Sequence, residues 1–184
     1  MLSLGGDHSI SYPMLRAHAR HYPGLTILHL DAHPDLYDEL DGSRLSHACP
    51  FARIMEEGLC RRLVQVGIRT LNPHQREQAS RFGVEIHEAG SWQTGTPLHL
   101  SGPLYVSLDM DVLDPAFAPG ISHYEPGGFS MRDVLHILHG IGAGTGAPIV
   151  GADLVEFNPA RDPGGVTAMV GAKFYKEILG RMLR

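Results

Sequence analysis

At 184 residues and 43% apolar by composition, the chain can enclose the core of one domain, yet no stretch approaches the roughly 18 consecutive apolar residues that cross a bilayer. The formal charge of -5 is mild and spread along the sequence, without a basic run that could track phosphates or an anionic surface, so neither nucleic acid nor a membrane is an expected partner. Two cysteines, Cys49 and Cys60, form no CxxC or knuckle pattern, and "MLSLGGDHSI" lacks the basic region and long apolar core of a signal peptide, so a disulfide framework and secretion are disfavoured and a cytoplasmic location is the default expectation.

Leu2-Ser3-Leu4 reads as the end of a strand almost at the first residue, so the chain is expected to open part-way into a fold and to lack its N-terminal strands. Further apolar, β-branched runs predict strands over 25–30, 63–66, 84–87, 104–108 and 149–152. Helices are predicted between them. Pro50 and Pro73 suit a first helical turn, Asn72 is a plausible cap before Pro73, and Gly83 is a plausible stop after Phe82. Ser130 and Asp133 have capping-box spacing ahead of Val134, Leu135, Ile137 and Leu138, and 166–183 has helical apolar spacing. Strand and helix in alternation predict an α/β fold with a mainly parallel sheet covered on both faces, in one domain spanning 1–184. No internal repeat, low-complexity stretch or linker interrupts it.

Three of the predicted strand ends run into side chains that bind metals: His8 after "SLGGD", Asp31, His33 and Asp35 in "LDAHPD", and Asp109 with Asp111 in "SLDMDVLDP". In an open parallel sheet the carboxyl ends of the strands form the ligand-binding edge. Residues i and i+2 of an extended segment share a face, so Asp31 with His33 and Asp109 with Asp111 can converge. Four carboxylates in one cleft repel by several kcal/mol at an effective dielectric of about 20, so the cluster requires cations. Two divalent ions would cancel four charges. A donor set of oxygens and two imidazoles favours Mn²⁺ over sulfur-leaning Zn²⁺, with Ni²⁺ or Co²⁺ also suited, and a metal pair that activates water predicts hydrolysis. Duller roles fit the other candidates. Asp7 and Asp114 suit turns or caps, His29 and His87 suit satisfied core histidines, and His136 with His139 suits a surface or packing pair. Pro34 makes Asp35 the least secure of the six by spacing.

"GGDHS", "DAHPD" and "SLDMDVLDP", in that order, resemble the three signature motifs of the ureohydrolase family, the arginases and agmatinases that split a guanidinium group to urea. The likeness runs from the first residues to the last helix. It implies a three-layer α-β-α arginase-like fold with two Mn²⁺ held by His8, Asp31, His33, Asp35, Asp109 and Asp111, Asp31 and Asp109 bridging. It further implies that His47 in "SHACPF" shuttles protons and that Glu156 in "GADLVEFNP" grips the guanidinium. A small guanidino cation is then the substrate and a trimer or hexamer the expected assembly. Leu36, Tyr37 and Asn72 depart from the animal arginases at positions that receive the substrate tail. "APGISHYEPGG" looks more like agmatinases, and "DAHPDLYDELDGSRLSHACPFARIMEEG" still more like plant-type arginases; His123 and Tyr124 lie on the former loop. Agmatine is the expected substrate, with arginine as the alternative. A non-catalytic relative and a single-zinc deacylase of the same general fold are the competing readings, but the first would have lost some of these positions and the second would need fewer ligands.

Overall fold

A computed structural model describes residues 1–141 and 147–183. Six strands, β1 (Leu2–Leu4), β2 (Thr26–Leu30), β3 (Arg62–Ile68), β4 (Glu85–Glu88), β5 (Leu104–Asp109) and β6 (Ile149–Val155), pair in parallel in the order β1-β6-β5-β2-β3-β4. On one face lie α1 (Ser11–Ala19), α2 (Pro50–Glu56) and α3 (Pro73–Phe82), α2 touching both of the others; on the opposite face α4 (Met131–Gly140) packs against α5 (Val166–Met182). The three-layer α/β arrangement expected from the alternation is what the chain forms. Among the described residues no helix is long and apolar enough to cross a membrane.

Strand periodicity sorts the core into two halves. Leu28, Leu30, Val64, Val66, Leu104, Val106 and Leu108 face α4 and α5, whereas Ile27, Leu63 and Tyr105 face α1 and α2. The helix punctuation works through the expected atoms. Asn72 Oδ1 accepts the Gln75 N–H at 2.9 Å, Gly83 takes the left-handed conformation (φ 65°), and Ser130 with Asp133 closes a reciprocal capping box. The α1 helix was not among the predicted elements. Pro13 stands in its first turn and two of its three buried residues, Ser11 and His18, are polar, so it shows no apolar stripe.

All strands point the same way, so the residues after Leu4, Leu30, Ile68, Asp109 and Val155 emerge along one edge of the sheet. On β3 a bulge at Gly67 permits a close approach there: its φ is +101°, and a Cβ would lie 2.9 Å from the Asp31 carbonyl oxygen.

Candidate metal centre

The site rests on a row of polar side chains one to three residues below the strand ends. Gln65 on β3 is in register with His29 on β2, His29 with Ser107 on β5, and Ser107 with Asp153 on β6, and all four are buried. Gln65 Nε2 donates to the Pro34 carbonyl at 2.7 Å, which orients the amide so that it also donates to His29 Nδ1 at 3.0 Å. His29 Nε2–H is therefore the donor to Asp31 Oδ2, at 2.7 Å. Burial, the dominant influence, lowers the pKa of the His29 imidazole and keeps it neutral.

Across the row, the Ser107, Ser11 and Tyr105 hydroxyls donate to the Asp153 carboxylate at 2.7, 2.9 and 2.7 Å. Because Ser107 spends its proton on Asp153, it can only accept from His8 Nε2–H, 2.9 Å away. The other His8 nitrogen, Nδ1, is left aimed into the cleft.

Three carboxylate oxygens surround that nitrogen: Asp31 Oδ2 at 3.1 Å, Asp35 Oδ2 at 3.1 Å and Asp109 Oδ2 at 3.2 Å. A second group faces His33 Nδ1, with Asp111 Oδ2 at 2.9 Å and Asp31 Oδ1 at 3.5 Å. Asp31 is thus common to both, one oxygen toward each imidazole. The six side chains singled out in the sequence come together here.

They converge by a different route from the extended alternation expected of them. Asp31 Oδ1 accepts the His33 N–H at 2.6 Å, and Asp109 Oδ1 accepts the Asp111 N–H at 2.8 Å. Each pair is a tight Asp-headed turn beyond the strand, the second being the start of a short 3₁₀ turn, Met110–Val112. Asp35, insecure because of Pro34, is carried back into the cleft by a left-handed backbone (φ 50°). Asp7 and Asp114 act as turn residues, accepting the Ser9 and Ala116 N–H groups. His29 is a buried, satisfied histidine whose partner is part of the cluster. His87 departs from expectation: it is half-exposed beside Glu85 on the edge strand β4. His139 pairs with Glu177 on the surface.

A cavity of about 350 Å³ opens over the cluster, lined by His33, His47, Asp109, Asp111, His123 and Glu156 among others. His47 stacks its ring on His123, centroids 5.5 Å apart. Buried Arg53 holds the His47 loop by donating to the Asp38 and Arg44 carbonyls at 2.7 and 3.2 Å. Glu156 follows β6 in a left-handed conformation (φ 64°), and its Oε1 accepts the His8 backbone N–H at 2.9 Å. Non-glycine residues in that conformation cost about 1–3 kcal/mol each, and two of the four among the described residues, Asp35 and Glu156, sit in this site.

The donor set fits a divalent pair. His8 Nδ1 is buried among three carboxylate oxygens without hydrogen-bond geometry to any of them; Ser107 fixes Nε2–H as a donor, so only the neutral ring could turn a lone pair to this cluster, and although burial opposes charge on the ring, Asp109, Asp31 and Asp35 outweigh it and raise its pKa well above the ordinary value. A cation resolves that conflict. Without one, protons must: burial and the neighbouring Asp31 push the Asp35 carboxyl up to about 7, and burial with Asp111 and Asp31 holds Asp109 well above the usual carboxylate range. Burial opposes charge on His33, but Asp111 and Asp31 outweigh it and raise its imidazole to about 12.

Gln65, Ser107, Asp153 and Arg69 were not singled out in the sequence. The Arg69 guanidinium reaches the carbonyls of Glu125, Gly67, Val112, Asp111 and Leu113, tying the end of β5 to the 119–128 loop. The one available signal was Ser107, at the head of "SLDMDVLDP", two residues before Asp109.

Known proteins carry the same arrangement of chain. The sequence profile of the arginase family matches residues 1–180. "Arginase 1, mitochondrial" of Arabidopsis thaliana is 54% identical over 190 residues, covering 98% of this chain and 54% of that protein. "Agmatinase, mitochondrial" of Gallus gallus is 40% identical, covering 97% and 55%. The solved structure of the arginase from Medicago truncatula superposes with a TM-score of 0.91 at 49% identity, covering 98% of this chain and 58% of that one. The chain spans about half the length of the curated relatives it matches. The parallel sheet, the order of the three motifs and a profile match over nearly every residue lead to one conclusion: the chain belongs to the arginase family.

Proposed function

We propose that this site hydrolyses the guanidinium group of arginine to urea and ornithine, with His8, Asp31, Asp35 and Asp109 as ligands of one divalent ion and His33, Asp31, Asp109 and Asp111 as ligands of the other. The observation that carries the reading is His8 Nδ1, directed by the Ser107 contact at Nε2 into three carboxylate oxygens. When bound, two Mn²⁺ (or Ni²⁺ or Co²⁺) supply a water activated for attack at neutral pH. Glu156 commits Oε1 to the His8 N–H and leaves its second oxygen to accept from the guanidinium, a planar cation suited to charge-assisted hydrogen bonds. That grip places the central carbon over the cluster. Hydrolysis then moves the water oxygen to carbon as the C–N bond to the side chain breaks, and the departing nitrogen takes a proton. His47, on the cavity wall, is positioned to deliver it.

The choice of tail follows the relatives. Plant proteins named arginase are 50–54% identical, against 40% for the agmatinase, which supports arginine over the agmatine suggested by the 119–128 loop. Urea release with Mn²⁺ should be measured on arginine, agmatine, 4-guanidinobutyrate and guanidine. A kcat/KM for arginine at least about tenfold above the others is expected, each factor of ten being 1.36 kcal/mol of discrimination. Faster agmatine turnover would reverse the substrate assignment, and no urea from any of the four would remove the hydrolase reading. His47→Ala is expected to lower kcat by about 100-fold or more with two ions still bound, since positioned proton transfer contributes about 10²–10⁴. An unchanged pH–rate profile in that variant would take the proton role from His47.

A homo-trimer or homo-hexamer belongs to the same proposal. A cytoplasmic location gains no support from the relatives, several of whose names carry "mitochondrial".

A further inference from the structure

Each imidazole facing Asp31 has a second nitrogen, and its partner decides how firmly the ring is held. His8 turns Nε2 to Ser107, itself anchored on Asp153, and His29 turns Nδ1 to Gln65. His33 presents Nδ1 to Asp31 and Asp111, so its Nε2 points away from the cluster. The carboxylate facing Nε2 is Glu125, with Oε1 at 3.9 Å, about 1 Å longer than a typical N–H···O hydrogen bond.

Glu125 is suited to that position. Its side chain is 42% exposed and, among the described residues, no Lys or Arg lies within ion-pairing distance of its carboxylate, which is therefore free to turn toward His33. Its backbone is fixed: the carbonyl accepts Arg69 Nε–H at 2.7 Å, while Arg69 Nη2 donates to the Asp111 carbonyl at 2.6 Å. Just downstream, the Gly127 N–H donates to the Asp114 carboxylate at 2.7 Å. The loop carrying Glu125 is thus locked to the same strand end that carries Asp111.

We infer that Glu125 is the outer carboxylate of His33, a positioning residue that accepts the Nε2–H and thereby sets the affinity of the ion on the His33, Asp111 side. The inference rests on the two-ion reading above. It makes the two sites unequal by construction: the His8 side is backed by a buried Ser–Asp pair, the His33 side by one half-exposed carboxylate on a loop.

The test is a calorimetric Mn²⁺ titration of the metal-stripped 184-residue chain, with electron paramagnetic resonance to follow the coupled ion pair. The wild type is expected to take up two ions. Outer carboxylate partners are worth about 10- to 100-fold in metal affinity, so Glu125→Gln should weaken the second binding event by that factor and leave the first unchanged. Glu125→Asp should recover part of the loss, which a merely structural role would not produce, and the melting temperature of the metal-free protein should be the same in all three. Two ions bound by Glu125→Gln as tightly as by wild type would overturn this inference alone. A variant with both affinities intact and a raised KM for arginine would assign Glu125 to the substrate tail and overturn it equally. Fewer than two ions in the wild type would instead bring down the two-ion reading, and this inference with it.

Discussion

Asp109→Asn is expected to cost the protein at least one divalent ion and to lower urea release more than about 1,000-fold, the equivalent of several kcal/mol of metal-derived transition-state stabilisation. The metal-free fold should barely notice. Burial first, and then repulsion from Asp111 and Asp31, hold the Asp109 carboxyl well above its ordinary range, so the metal-free fold disfavours its charge and the neutral asparagine removes a cost rather than a partner. The amide oxygen can still accept the Asp111 N–H, as Oδ1 does at 2.8 Å. Metal analysis, urea assay and melting curves with and without chelator separate these effects. A metal-free protein greatly destabilised by the substitution would show that Asp109 is ionised and paired in the fold itself. In the wild type, Asp35 adds a pH dependence of known sign. Its carboxyl, near 7 when metal-free against 3.8 ordinarily, binds more protons folded than unfolded between those values. Its contribution therefore makes the metal-free protein lose stability as pH rises from about 4 to 7, while Mn²⁺ must displace that proton and should bind more weakly below about pH 7.

Glu156→Gln should lower kcat/KM for arginine by about 2–5 kcal/mol, or roughly 30- to several-thousand-fold, the usual cost of leaving one partner of a desolvated charge pair unmatched. Both ions should remain. The glutamine carbonyl can keep the bond from the His8 N–H now made by Oε1 at 2.9 Å, so the local fold is preserved and only the negative charge toward the guanidinium is lost. Steady-state kinetics with parallel metal counts would check this. Loss of metal together with activity would place Glu156 among the groups that hold the ions.

Much of this protein is written locally. Alternation of apolar runs with capped helices marks out a parallel α/β sheet, and Asn72, Pro73, Gly83, Ser130 and Asp133 punctuate it through bonds spanning only a few residues. The three acidic and histidine-bearing motifs lie at strand ends, where a parallel sheet must bring them to one edge. Their convergence was therefore legible, although the turns that achieve it were mistaken for extended chain. His47 and Glu156 were found by resemblance, because an isolated loop histidine and a lone acid have no pattern of their own.

What only the tertiary structure decided is everything that depends on cross-strand register. That Gln65, His29, Ser107 and Asp153 form one buried row, that Ser107 sets the tautomer of His8, and that Arg69 ties Glu125 to Asp111 are relations between residues up to about a hundred positions apart. Side-chain periodicity is a property of neighbours along the chain, whereas the residue that lies opposite another is chosen by strand order and by the packing of helices over both faces, and no stretch of sequence carries that choice by itself.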